Sequence, residues 1–344
     1  MQITVQNEFS IEPHEDGRRL DLAISGRYPR FNRGEWQIRI RNGDVTVNEQ
    51  TARPSRRLAT GDRVRFIFQR GPEPEVTRAY SITYEDEYLY VVEKPGDLPV
   101  HPSGVYHENT LYSLIKAERG ADFPVNLVHR LDRETSGLLL IAKDGTTARD
   151  LQAAFQEKDE VIKIYQTIVE CPRPFPEFLD ARGWIFAAGT GPVRKKRSFV
   201  AGDEIENKPT AARNPTRHAS QAGANDPAPP QTARTEFRLL RRDPRGIALV
   251  EARLFTGRMH QIRATLCSLG YPVVGDRLYG VDETLYLKMI QDLETDADRS
   301  RLRMNRTALH AARLEFRHPR TGKTMRFESE LAPDMRRLFF EDQQ

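Results

Sequence analysis

The stretch Gly71-Pro-Glu-Pro-Glu75 limits what this chain can fold into more than any other feature of its sequence. Each proline lacks a backbone N–H donor and holds φ near about −65°, so the segment enters neither a helix nor a strand ladder and reads as an extended linker. It separates residues 1–75 from residues 76–344, and two domains suit a chain of 344 residues. The larger piece is long enough to bury roughly three quarters of its unfolded surface in a core of its own. Cys171 and Cys267 are the only cysteines, which excludes a disulfide framework or a four-cysteine zinc cage and fits a reducing compartment. No apolar run approaches the roughly 20 residues of a membrane span. Met1 to Ser10 lack the basic-then-apolar layout of a secretion signal. The expectation is a soluble cytoplasmic chain with no membrane partner.

In the first piece, helices are expected around Arg19–Gly26 and Arg33–Arg41, the second closed by the Asn42-Gly43 turn, with short strands at Asp44–Asn48 and Arg63–Phe68. In the second, Tyr88–Val92 and Leu138–Ala142 are apolar runs of buried-strand length. Val161–Val169 alternates like a half-exposed strand, and Ile247–Leu254 is a further strand. Thr146 is the expected N-cap of a helix running to about Lys158. A helix from about His260 should end at Gly270 with Ile262, Leu266 and Leu269 inward. Residues 203–232 are rich in Ala, Pro, Asn, Thr and Gln, have almost nothing to bury, and read as a mobile insertion.

The net charge of +4 says little, but its distribution says more. Residues 299–326 hold nine Lys or Arg against one acid, Glu315. Such a run is either a solvated basic face or the footprint of a polyanion binder. Arginine outnumbers lysine 43 to 10, and arginine suits phosphate forks and base stacking.

The densest chemistry lies in Val128-His-Arg-Leu-Asp-Arg-Glu-Thr-Ser-Gly137, polar residues crowded just before a core strand that can hold them rigidly. Asp132, close to Arg130 and Arg133, should stay ionised. On the residues alone it is either an ion-pair partner in a sturdy turn or a nucleophile or base. Alternation puts Lys163 and Tyr165 on one face of their strand, opposite Ile162, Ile164 and Ile168. His129, His260 and His310 come without H-E-x-x-H or paired-cysteine spacing, so no metal is expected, and hydrogen bonds that hold loops are their expected role. Gly189-Thr-Gly191 and Arg194-Lys-Lys-Arg197 lack the spacing of a phosphate loop.

The segment His129-Arg-Leu-Asp132 followed by Thr135-Ser-Gly-Leu-Leu139 resembles the signature of the RluA family of RNA pseudouridine synthases. Four more segments follow in that family's order: Tyr84-Glu-Asp86 with Lys94-Pro95 and Val100-His-Pro102; Lys163-Ile-Tyr165; Thr256-Gly-Arg-Met-His-Gln-Ile-Arg263 with Gly270 to Asp276 and Leu278-Tyr-Gly280; and Ala308-Leu-His-Ala311 with His318-Pro319. Lys195–Phe199 resembles a family strand that faces RNA. The resemblance implies an α+β pseudouridine-synthase fold, a mixed and largely antiparallel sheet with flanking helices, and a cofactor-free isomerase that detaches uracil in RNA and rejoins it through carbon five. It implies Asp132 as the catalytic carboxylate, Tyr165 beneath the uracil and placed to take the proton from carbon five, and Arg263 paired with the aspartate. By the same resemblance Arg130 is expected to brace the gap left by the flipped base, and His129, Arg133, Lys163 and Arg258 to fall among the RNA-facing positions.

In the first piece, Arg19-Leu-Asp21, Arg33 through Ile40-Arg-Asn-Gly43, Val45-Thr-Val-Asn48 and Gly61-Asp-Arg-Val64 resemble the S4-like RNA-binding domain, with Arg33 and Arg41 as candidate RNA contacts. Asn32 stands where that domain usually has serine. Three readings compete: a monomeric pseudouridine synthase acting on large-subunit ribosomal RNA, or otherwise on transfer RNA; a non-catalytic RNA-binding assembly factor of the same fold; and a nucleoside or glycoside hydrolase, which would need a second carboxylate as acid. Asp132, Tyr165 and Arg263 occurring together favour the first.

Overall fold

The computed structural model describes residues 3–28, 31–70, 72–157, 160–188, 193, 196–202, 229–282, 284–291 and 293–341. The chain divides into two compact units, one of Met1–Pro74 with Ser103–His107, the other of Glu75–Pro102 with Glu108–Gln344.

The first unit sets helices α1 (Leu20–Arg27) and α2 (Arg33–Arg41) against a sheet of β1 (Ile3–Ser10), β2 (Val45–Val47), β3 (Gln50–Thr51) and β4 (Arg63–Arg70), in the order β1-β4-β2-β3. Strand β1 carries no motif that sequence reading caught. Helix α2 starts where the spacing predicts, because Asn32 Oδ1 accepts the Glu35 N–H at 3.0 Å while Glu35 Oε2 accepts the Asn32 N–H at 2.7 Å. Asparagine caps a helix as well as serine does, so this replacement costs the fold nothing. Trp36, fully buried, meets the rings of Phe31 and Phe66 edge-on.

The second unit is built on one sheet of β5 (Ser81–Glu85), β6 (Leu89–Lys94), β7 (Asn126–Leu127), β8 (Ser136–Ala142), β9 (Val161–Glu170), β10 (Phe178–Ala187), β11 (Arg197–Ala201), β12 (Gln231–Asp243), β13 (Ile247–Leu254), β14 (Leu309–Arg317) and β15 (Thr324–Glu328). Its order is β11-β10-β12-β13-β9-β14-β8-β6-β5, with β15 on β14 and β7 on β8. Every pairing is antiparallel except β14 with β8, which are parallel and meet only at His310↔Ser136 and Ala311↔Gly137. Gly137 makes that contact possible: its φ is +103°, and a Cβ there would overlap the Ala311 backbone.

Helix α3 (Leu111–Arg119) and helix α4 (Gly145–Gln156) flank the β8 side. Helix α5 (Gln261–Ser268) follows β13 and ends at Gly270, φ +81°, as predicted. The short helices α6 (Thr284–Ile290), α7 (Asp296–Leu302) and α8 (Pro333–Arg336) complete the unit. Leu139 and Ile141 of β8 pack with Leu111 and Ile115 of α3, while Leu138 and Leu140 pack with Leu151 of α4. Each such side chain contributes about 1.5–3 kcal/mol on burial. The apolar run of β8 is therefore covered on both faces.

Several expectations need correction. The cap of α4 is Asp144, whose Oδ1 accepts the Thr147 N–H at 2.8 Å, rather than Thr146. Strand β9 is not half exposed: it runs between β13 and β14, and Val161, Ile164, Thr167, Ile168 and Val169 are all buried. Helix α5 is buried from Gln261 through Leu266, so the inward stripe is wider than its apolar residues indicate. Of the insertion expected at 203–232, residues 203–228 lie outside the described residues, and Gln231 and Thr232 open strand β12, where both pair with β10. The glycine run at 189–191 and Arg194 and Lys195 also lie outside the described residues.

The basic run of residues 299–326 is not a free cationic face. Arg299 pairs with Asp296, Arg301 with Asp282, Arg303 with Glu170, Arg306 with Asp334, Arg313 and Arg326 with Glu328, and Arg320 with Asp144 and Asp150. The run passes through α7, central strand β14 and β15, so charges adjacent in sequence are dispersed in space; Arg299 and Arg326 meet acids of their own helix or strand, and the other five meet acids from elsewhere in the chain.

Candidate active site

Asp132 sits in the loop between β7 and β8, and the fold fastens that loop from three directions. Lys94, at the end of β6 and fully buried, donates to the carbonyls of Pro95 at 2.7 Å, Leu98 at 2.8 Å and Arg133 at 3.0 Å. Three carbonyls match the three N–H donors of an ammonium, while burial, then Arg306, pulls its pKa down to about 7. His129 Nε2 accepts the Leu140 N–H at 3.0 Å, and its ring stacks on Phe155 with centroids 4.5 Å apart. Burial lowers its pKa to about 3, so it is a neutral acceptor. Glu134 Oε2 accepts from the N–H and hydroxyl of Thr307 at 2.9 and 2.8 Å.

The carboxylate of Asp132 is about one-third exposed. Its Oδ2 accepts Arg263 Nη1 at 2.7 Å, and His260 Nε2 stands 3.8 Å from Oδ1. Arg263 is itself clamped by Asp276, through Nε at 2.6 Å and Nη2 at 2.9 Å. Asp276, fully buried, also accepts the N–H groups of Leu278 and Tyr279, each at 2.9 Å. This is a carboxylate–guanidinium–carboxylate chain with a planar fork at its centre. Burial alone would raise the Asp132 carboxyl, but the Arg263 guanidinium, then His260 and Lys94, hold it below the usual aspartate value. Arg130 and Arg133 do not perform that task. Arg130 is exposed, and Arg133 lies by Glu134 at 2.9 Å and Asp97 at 3.5 Å.

Tyr165 lies on β9 opposite Ala311 of β14, where it packs with the cluster that includes Leu131, the neighbour of Asp132. Burial, then the charge of Asp132, raises its hydroxyl pKa, so it is a neutral phenol. Lys163, two residues away, goes elsewhere: it is 8% exposed, and its ammonium lies over the Phe155 ring at 5.4 Å. Lys163 and His129 are thus inward packing groups rather than surface cations. Arg258 anchors the α5 entry, with Nε on the Thr232 carbonyl at 3.1 Å and its N–H on Gln261 Oε1 at 3.0 Å. In the first unit Arg33 donates to Asp21 at 2.9 Å while half exposed, and Arg41 is exposed.

Asp132, Tyr165 and Arg263 therefore converge, and Arg130 stands exposed two residues from the aspartate. Asp276, Tyr279 and Lys94 have structural tasks that sequence reading did not assign. An aspartate followed at two and three residues by N–H groups it can accept is a recognisable turn pattern, and it was the available signal for Asp276. A cavity of about 1040 Å³ is lined by Lys94, Asp97, Ser136, Arg277, Arg306 and His310 among others. Two of its cations are bound to acids, Arg277 to Glu294 and Arg306 to Asp334.

The solved structure of human RNA pseudouridylate synthase domain containing 4 matches the fold at a TM-score of 0.52 and 24% identity, over 75% of this chain and 91% of that one. Residues 88–268 match the RNA pseudouridylate synthase family. An uncharacterized RNA pseudouridine synthase of Aquifex aeolicus is 32% identical over 96% of this chain and 95% of its own. Ribosomal large subunit pseudouridine synthase D of Nitrosomonas europaea is 30% identical over 96% and 86%. The chain belongs to the RNA pseudouridylate synthase family, and it is an isomerase that converts uridine in RNA to pseudouridine. No helix among the described residues is long and apolar enough to cross a membrane.

Proposed function

We propose that this enzyme acts on large-subunit ribosomal RNA with Asp132 as its catalytic carboxylate. The observation that carries the assignment is the 2.7 Å contact of Asp132 with Arg263, itself clamped by buried Asp276, which keeps a carboxylate ionised and aimed. In the isomerisation the N1–C1′ bond breaks, a C5–C1′ bond forms, the C5 proton leaves to solvent and N1 gains one. Asp132 acts on the ribose, and Arg130, exposed beside it, fills the space of the flipped nucleotide. Tyr165 floors the uracil. Its neutral phenol supports packing against the base rather than taking the C5 proton. The first unit is an S4-like RNA-binding domain of residues 1–75, contributing Arg33 and Arg41, ahead of a catalytic domain of residues 76–344. The enzyme is a cytoplasmic monomer. The ribosomal target follows from the relative named for the large ribosomal subunit, similar over nearly the whole chain.

The target is tested by mapping pseudouridine in RNA from a strain lacking this gene. Loss of one or a few sites in large-subunit ribosomal RNA is the expected outcome. Loss confined to transfer RNA would replace the proposed substrate.

A further inference from the structure

Arg263 accounts for only one oxygen of Asp132. It fixes Oδ2 at 2.7 Å, and the group facing Oδ1 is His260, whose Nε2 is 3.8 Å away. His260 is held on its other side. Its Nδ1 lies 2.9 Å from the hydroxyl of Tyr279, and that hydroxyl also accepts the backbone N–H of Arg197 at 2.7 Å. Tyr279 is 2% exposed, its ring carries the Arg263 guanidinium at 5.1 Å, and its own N–H binds Asp276. One side chain thus underlies both arms that reach Asp132.

Proton counting then fixes the imidazole. A backbone amide can only donate, so the Arg197 N–H takes one lone pair of the Tyr279 oxygen and leaves its single proton free to be given to Nδ1. The opposite arrangement, with Nδ1 donating, would aim the Nε2 lone pair at a carboxylate oxygen, which is repulsive. Asp132 and Asp276 favour the imidazolium and Arg263 and Arg197 oppose it. Burial, the largest influence, brings the pKa down to about 4, so the ring is neutral near pH 7.

We propose that His260, locked by Tyr279 as the neutral Nε2–H tautomer, is a positioning residue that orients Asp132 so that Oδ2 stays on Arg263 and Oδ1 is the reacting oxygen. At 3.8 Å the N–H does not yet hydrogen-bond Oδ1. It leaves that oxygen reactive and stands ready to bond it as the carboxylate turns toward the ribose. A neutral donor steers without the added cation that would quench the carboxylate. The inference rests on the reading of Asp132 as the catalytic carboxylate.

The test has a spectroscopic and a kinetic arm. In the full-length protein labelled with ¹⁵N-histidine, the His260 ring should show the Nε2–H tautomer at neutral pH, and Tyr279→Phe should abolish that preference. In steady-state assays on substrate RNA, His260→Ala should lower kcat roughly ten- to a hundredfold with KM little changed. His260→Gln, which keeps a donor at the distal position, should recover most of the rate. His260→Ala combined with Tyr279→Phe should be no slower than His260→Ala alone, because the two act through one contact. An imidazolium or Nδ1–H tautomer in the wild type, or a folded His260→Ala variant with the wild-type rate, would overturn the proposal. If Asp132→Asn remained active, the underlying reading would fall instead, and the two failures are told apart.

Discussion

At the residue scale, the site is a problem of keeping one carboxylate charged while shielding it from water. Asp132 has burial pushing its pKa up and Arg263 pulling it down, and Arg263 wins. Since the folded-state value is depressed, the ionised form persists above it and is lost as pH falls through it. The acid limb of kcat/KM should therefore lie below the ordinary aspartate range. Arg263→Lys keeps a charge but loses the fork that holds both Asp132 and Asp276. The limb should then move to higher pH, measured as a pH–rate profile on one RNA substrate. An unmoved limb would separate Asp132's ionisation from Arg263. The residue types of this chain were legible in the sequence, but local spacing pointed to the wrong partners: Arg130 and Arg133 are the aspartate's neighbours along the chain, whereas its ionic partner Arg263, 131 residues away, was legible only through the family resemblance.

At the element scale, the loop of Asp132 is only as well placed as strand β8 behind it. That strand touches β14 in parallel over two residue pairs, and Gly137 sits at the contact. Gly137→Ala must both hold a φ of +103° and push a methyl into the Ala311 backbone. Gly246, φ +80°, has open space around it, so alanine there meets only the backbone cost, about 1–2 kcal/mol. Gly137→Ala should cost clearly more, about 3 kcal/mol or above, in urea unfolding. Equal losses at the two glycines would mean that the β8–β14 approach adjusts freely. Strands β8 and β13 and helices α2 and α5 were readable because apolar runs, caps and C-terminal glycines are local signals. The error over β9 has the opposite cause, since Lys163, Tyr165 and Gln166 interrupt its apolar pattern although the strand lies inside the sheet.

At the scale of the whole molecule, the sequence was most misleading about charge. Nine basic residues between 299 and 326 look like a polyanion footprint, yet seven of them pair with acids, two within their own helix or strand and five with acids brought in by other segments. Arg130 and Arg41 are exposed, and under the proposed function they are the candidate RNA contacts. What survives every scale is the family pattern itself, because most of its motifs lie at strand ends and loop anchors, where Lys94, His129, Asp132, Arg263 and Asp276 each have a definite partner. The central claim is that this chain makes pseudouridine and that Asp132 carries the reaction. Tritium release from RNA labelled at uracil carbon five measures this directly. Wild-type enzyme should release tritium to water while Asp132→Asn, folded and able to bind RNA, should release none above background; undiminished release by that variant would contradict the account.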